Sequence, residues 1–309
     1  MNRTNVDLNS PFKFDYLDQM NNRTVKYLLP AEKIDMGGFP IKQALPTEKV
    51  DQVDPFLLLH HGRVKYSDHR KAISQGIGPH PHRGFSPVTF VIEGEVHHRD
   101  SRGHSQVARA GDVQWLTAGM GIIHSERPSQ TLAQVRGYQE IVQLWVNSPA
   151  ANKMDKPQYQ FLSRESMPSF FSEDGGIQNN LIAGNLNHLS GNITTQSELI
   201  IIWSHAQENG SQLFQIPPSF NTALYLIKGE VNIQRYGLVS AEHLIVFSND
   251  GSDTGLHFAP GSQSLLMGGI PLNEPTVRSG PFVMNTQTQI LEALRDYKMG
   301  KMGVLIEDD

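Results

Sequence analysis

The chain has 309 residues, a formal net charge of −5, 38% hydrophobic residues and no cysteine. That length exceeds one ordinary core and points to two domains. The mild acidity argues against bulk attraction to nucleic acid or to an anionic membrane, and the missing thiols exclude disulfides, cysteine-ligated clusters and thiol nucleophiles.

Residues 1–24 are polar, rich in Asn and Asp, and lack the apolar stretch of a signal peptide, so they read as a loose leading segment. From there, short apolar runs alternate with Gly, Pro, Asn and Asp. Strands are expected at 25–29, 56–59, 87–92, 106–108, 113–116, 139–146, 177–183, 199–204, 223–227, 231–234, 243–247 and 264–269. Many short strands between turn signals indicate an all-β sandwich or barrel. The apolar alternation lapses over 149–168, where a short helix is expected near 150–153. The expected division is a first barrel at 25–155, a linker at 156–176 and a second barrel at 177–309. One clear helix closes the chain at 287–299, with Thr286 and Gln289 as a capping box, Ile290, Leu294 and Tyr297 on one face, and Gly300 after its end. No apolar run reaches the length of a membrane span, so a monomeric cytoplasmic protein is the expectation.

A faint repeat joins the halves. Val88-Thr-Phe-Val-Ile-Glu-Gly-Glu-Val96 matches Ala223-Leu-Tyr-Leu-Ile-Lys-Gly-Glu-Val231, and 111–116 matches 241–246. Two copies of one barrel follow from this. Flanking the first copy lie the residues that carry chemistry: His80 and His82 in Gly78-Pro-His-Pro-His-Arg-Gly84, and His124 and Glu126 in Gly121-Ile-Ile-His-Ser-Glu126. Ligands two apart share a face when the segment is extended. Two such pairs across a small barrel would grip one divalent transition metal and leave positions open for chemistry. Glu126 is either a ligand or a neighbour of the ligands. Gly119 and Gly121 are expected in tight turns that place His124. Laying the copies together sets Gln215 and Pro217 opposite His80 and His82, and Thr254 and Leu256 opposite His124 and Glu126, with His257 nearby. The second barrel is then metal-free. His60, His61 and His69 read as loop residues; His97, His98 and His104 read as surface residues in a charged stretch; His188, His205, His243 and His257 carry no spacing signal. Phe90, Trp115 and Met120 are candidates for a pocket wall, although strand aromatics more often belong to the core.

His80-Pro-His-Arg-Gly-Phe85 together with Thr117-Ala-Gly-Met-Gly-Ile-Ile-His-Ser-Glu126 resembles the signature of the pirin family, within the cupin superfamily. Gly38-Phe-Pro40, Lys42-Gln-Ala-Leu-Pro46, Asp54-Pro-Phe-Leu57 and Gly280-Pro-Phe-Val-Met-Asn285 resemble it too. The resemblance spans about residues 25–304. It implies two tandem cupin (double-stranded β-helix, jelly-roll) barrels with a short C-terminal helix and one metal in the first barrel. His80, His82, His124 and Glu126 match the family's ligands one for one. The metal implied is Fe(II), with Zn, Cu, Ni, Mn or Co also suited to the donors. The activity implied is a quercetin 2,3-dioxygenase-type ring opening of a flavonol-like aromatic substrate by dioxygen, with Glu126 as the catalytic proton acceptor. The other role the family implies is regulation through binding a protein partner, a transcription factor or a metabolic enzyme. No helix-turn-helix or basic stripe supports direct DNA binding. Two departures stand out: Ser86 where the family often has Glu, and His60-His61 where many members carry an acidic pair.

Overall fold

The computed structural model describes residues 21–36 and 39–307; most of the expected loose leading segment lies outside the described residues. The period-2 runs form strands, and among the described residues these strands make two barrels of one plan. The first has a seven-stranded sheet in the order Gln158–Leu162, Val113–Thr117, Phe85–Glu93, Tyr138–Asn147, Phe56–Lys65, Pro40–Leu45 and Glu32–Asp35. Its four-stranded sheet runs Ile77–His82, Ile122–Arg127, Glu95–Asp100 and Ser105–Arg109. The second repeats this with Val25–Pro30, His243–Phe247, Asn221–Lys228, Gln263–Gly269, Leu199–Ala206, Ile177–Ala183 and Ser169–Phe171. Its four-stranded sheet runs Gly210–Gln215, Asp253–Phe258, Glu230–Ile233 and Gly237–Ser240.

The central strands of the seven-stranded sheets bury both faces. On Leu199–Ala206, Ile200 and Ile202 join the core inside the second barrel. Ile201 and Trp203 join a core shared between the barrels, with Val88, Phe90, Trp115, Val142 and Leu144. A strand with two apolar faces reads as an unbroken apolar run, which is how 199–203 appears in the sequence.

The expected domain boundaries need three corrections. Val25–Pro30 pairs with His243–Phe247 and completes the second barrel, not the first. Gln158–Leu162, placed in the linker, pairs with Val113–Thr117 in the same position of the first barrel. Each barrel therefore takes its outermost strand from beyond its own expected limits, and an edge strand makes only one ladder of pairs, so little in its own pattern says which sheet it joins. Third, the chain end returns to the first barrel. Phe282 bridges Arg83, and Val283 packs on Leu57 and Phe85. The helix Gln287–Lys298, with the capping box on Thr286 and Gln289, buries Ile290 and Ala293 against Phe282, Met284 and Met302. The short helix expected near 150–153 is a single 3₁₀ turn at Ala150–Asn152. No helix among the described residues is long and apolar enough to cross a membrane.

Candidate metal centre

The site begins with two strands of the first barrel's smaller sheet. Ile77–His82 is the edge strand, and an edge tolerates Pro79 and Pro81, which have no N–H to give a second neighbour. Its side chains alternate, so His80 and His82 share a face. On the partner strand His124 lies opposite His80, and Ile122 opposite His82. Gly119 (φ 49°) and Gly121 (φ 131°) shape the turn before this strand. A Cβ on Gly119 would sit 2.1 Å from the Asp155 carbonyl, so no other residue fits there without rebuilding the turn.

The three imidazoles converge. Their ligand nitrogens lie within 4.8 Å of one another, and ring centroids are 4.4–4.9 Å apart. Each ring is held from behind. His80 Nδ1–H donates to the Gly78 carbonyl at 2.8 Å, and His82 Nδ1–H to the Pro281 carbonyl at 3.4 Å. His124 Nδ1 lies 3.4 Å from His98 Nδ1. Donating from Nδ1 leaves Nε2 of His80 and His82 as the free lone pair. His124 Nε2 is buried and has no hydrogen-bond partner, and a buried polar atom without a partner is costly. Burial holds His82 and His124 well below the usual imidazole value, and the neighbouring rings add to this. These two rings are therefore neutral, the form a metal requires. Three clustered imidazole nitrogens fit a divalent transition metal, and the chain has no cysteine thiolate to close the shell as in structural zinc sites.

Glu126 is buried beside this group but outside the tight cluster of three. The strand Ile77–His82 bulges between Ile77, opposite Glu126, and His80, opposite His124. The carboxylate accepts from Thr89 Oγ1 at 2.9 Å on Oε1 and from Gln143 Nε2 at 2.9 Å on Oε2. It also lines an apolar cavity of about 290 Å³ walled by Phe39, Ile41, Val64, Tyr66, Ile77 and Ile141. Two of the larger clefts, one around Arg70, Arg99 and Arg127 and one around His61, Arg63 and Lys228, are charged and do not reach Glu126. The expected wall residues lie elsewhere: Phe90 and Trp115 are in the core between the barrels, and Met120 is exposed. Ser86 bonds Thr117 and plays no part in the cluster.

Several histidines sit differently from their sequence reading. His98 is buried, stacked on Tyr159 with centroids 4.3 Å apart, and its Nε2 lies 3.1 Å from Asp100. The signal was present: in Glu95–Asp100, Val96, His98 and Asp100 alternate inward. His60 and His61 lie on the strand Phe56–Lys65, not in a loop, and buried His61 bonds Tyr225 of the second barrel and Glu140. Strand pairing also fixes the second barrel's counterparts. Phe214 faces Thr254 as His80 faces His124, so Phe214 and Ile216 stand where Gln215 and Pro217 were expected, a shift of one residue. Thr254 and Leu256 stand as expected. His257 lies on the other face of that strand and bonds Ser211.

Residues 38–146 match the Pirin family model, and residues 202–303 match the Pirin C-terminal cupin domain. Pirin-1 of Arabidopsis thaliana is 36% identical over 269 residues, covering 82% of this chain and 86% of that protein. A quercetin 2,3-dioxygenase from Acinetobacter baumannii has the same fold in its crystal structure, with a TM-score of 0.84 at 32% identity, over 92% of this chain and 100% of that one. An Escherichia coli pirin solved in complex with nickel(II) shares the fold at 18% identity and a TM-score of 0.65, over 79% of this chain and 99% of that one. Two barrels of one plan, a histidine cluster in the first, and matches across both halves lead to one conclusion: this chain is a member of the pirin family, with the fold of a bicupin.

Proposed function

We propose that this chain is a dioxygenase of the quercetin 2,3-dioxygenase type, with Fe(II) held by His80, His82, His124 and Glu126. The observation that carries the reading is the buried Glu126 carboxylate, which follows His124 by two residues on the same strand and lines an apolar cavity. The relative from Acinetobacter baumannii supports the same reaction class. When bound, the metal supplies the redox and Lewis-acid chemistry that lets a flavonol react with dioxygen. The chain supplies the rest. Phe39, Ile41, Val64 and Ile141 offer a dry apolar wall for the aromatic rings. Thr89 and Gln143 each donate to one Glu126 oxygen, which fixes the plane of the carboxylate. Glu126 takes the proton of the flavonol 3-hydroxyl, so the substrate reacts as its anion. Both atoms of dioxygen enter the opened product, and one ring carbon leaves as carbon monoxide.

The test is anaerobic mixing of Fe(II)-loaded protein with quercetin, followed by air. Loss of the flavonol absorption band with stoichiometric carbon monoxide is the expected result. Absence of turnover with Fe, Mn, Co, Ni, Cu and Zn in turn rejects the reading. Elemental analysis of protein purified from its own host identifies the native metal.

A further inference from the structure

His80 and His82 are oriented by main-chain carbonyls of Gly78 and Pro281. A carbonyl only accepts, so each of these rings must carry its proton on Nδ1 and present Nε2 bare. The third ring is oriented differently. Its Nδ1 meets a side chain, His98, whose ring could in principle donate or accept. What decides between the two lies one step further out.

Asp100 is buried, and its carboxylate is saturated with donors. Oδ1 accepts from the backbone N–H of Arg102 at 2.8 Å and of His104 at 3.2 Å. Oδ2 accepts from His104 Nδ1 at 2.9 Å and faces His98 Nε2 at 3.1 Å. A carboxylate so held has no proton to give, so His98 must place its own proton on Nε2. His98 Nδ1 is then bare and accepts from His124 Nδ1–H. We propose that Asp100 and His98 form a chain of fixed donors and acceptors that sets the tautomer and the aim of His124, making His98 a positioning residue for the metal centre. Tyr159 holds the His98 ring flat, with an interplanar angle of 11°. Among the described residues the second barrel has no such chain. There Ile233 faces Leu256 as His98 faces Glu126.

The inference rests on the metal reading above, and the experiment separates the two. Co(II) alone is the probe, read by its visible bands and by competition with a chromophoric chelator. His98→Phe keeps the ring and its stacking but removes the acceptor. His98→Asn loses the ring but puts Oδ1 where Nδ1 stood. The phenylalanine variant should bind Co(II) roughly 10–100-fold more weakly, with shifted bands, as for other lost partners of metal-bound histidines; the asparagine variant should recover most of that loss. Equal affinity and an unchanged spectrum in His98→Phe, or no recovery in His98→Asn, would overturn the proposal. Should the variants unfold, imidazole nitrogen NMR of the unaltered metal-free protein at pH 8 decides instead. The expected pattern is His98 protonated on Nε2 and His124 on Nδ1; the reverse pattern on either ring overturns the proposal. Failure of the unaltered protein to bind Co(II) would reject the metal site itself, while the tautomers would still accept or reject the chain.

Discussion

The two barrels share strand order and pairing but differ in what they enclose. In the second, Phe214, Ile216, Leu224, Ile233, Leu256 and Leu266 belong to one continuous apolar core. The strand pairing matches each of these to a polar residue at the same place in the first barrel. His80 and His82 take the places of Phe214 and Ile216, Thr89 that of Leu224, His98 that of Ile233, Glu126 that of Leu256 and Gln143 that of Leu266. The apolar side chains inside the first barrel fall into small separate clusters around this polar set. Burying a leucine contributes about 2 kcal/mol, whereas each polar replacement contributes only if its partners are present. One scaffold thus serves stability in one copy and a metal site in the other. The shared core between the seven-stranded sheets joins the two copies.

Transplanting residues between the copies gives the sharpest tests. The largest effect is expected from His80→Phe combined with His82→Ile, which gives the first barrel the second barrel's residues. Metal affinity should fall on the order of a thousandfold or more, because two of three nitrogens are gone, while the far-UV circular dichroism stays that of a folded β protein. Equilibrium dialysis against Co(II) reads this, and near-normal binding would show that the ion sits elsewhere. The reverse exchange, Leu256→Glu, puts a carboxylate among Leu224, Leu266 and Ile233 with none of the donors that Glu126 has. A buried charge without a partner costs roughly 3–5 kcal/mol, so the urea midpoint should drop sharply. A loss below about 1 kcal/mol would mean that the second barrel can rearrange to admit polar groups.

How far this contrast could be read from sequence depended on whether the signal was local. The His80/His82 and His124/Glu126 pairs are local, since alternation along a strand and two glycines before His124 suffice to place them. The terminal helix was equally legible, because its cap lies within four residues. The exchange of outer strands was not, because Val25–Pro30 finds its partner more than two hundred residues away. His61 was read as a loop residue because the apolar run stops at Leu59; its partners Tyr225 and Glu140 are brought to it only by tertiary pairing. His98 was obscured by the charged neighbours His97, Arg99 and Arg102, although its inward alternation with Val96 and Asp100 was there to see. The one-residue error at Phe214 and Ile216 arose because a match of repeats cannot fix register across a bulge.

Acid should load both copies, since each holds a histidine that burial keeps in its neutral form. Burial lowers His60 and His205 to about 4, and Arg164 adds to the effect at His205. A histidine whose folded value lies below its unfolded value of about 6.5 protonates first in the unfolded chain. Its neutral burial therefore costs nothing above that pH, and stability falls as the pH drops from about 6.5 to 4. Burial raises Asp100 and Glu140, but bonds from His98 and His61 outweigh this and hold both at about 2. Their contribution is present above the usual carboxylate range and is lost as the pH falls toward 2. Urea unfolding of the metal-free protein should thus show a decline that starts near pH 6.5, on the order of 3 kcal/mol for each of these two histidines by pH 4, and continues below as Asp100 and Glu140 titrate. A flat profile between pH 7 and 4 would mean that these histidines titrate normally in the fold.

The smallest effect isolates what the polar set does for chemistry. Thr89→Val is nearly isosteric and takes away one of the two donors to Glu126, leaving Gln143. Losing one such bond costs about 1 kcal/mol in stability, close to what many surface changes produce. If Thr89 only satisfies a buried oxygen, turnover should follow stability and hardly move. If it fixes the plane in which Glu126 meets metal and substrate, kcat should fall about tenfold, since 1.4 kcal/mol of lost orientation is a factor of ten, with KM for quercetin little changed. The same substitution made at its counterpart, Leu224→Val, removes one methylene from an apolar core and should cost about 1 kcal/mol with no change in kcat. Two variants of like thermodynamic cost, only one of which slows the reaction, would assign the first barrel's polar interior to chemistry and the second's to support.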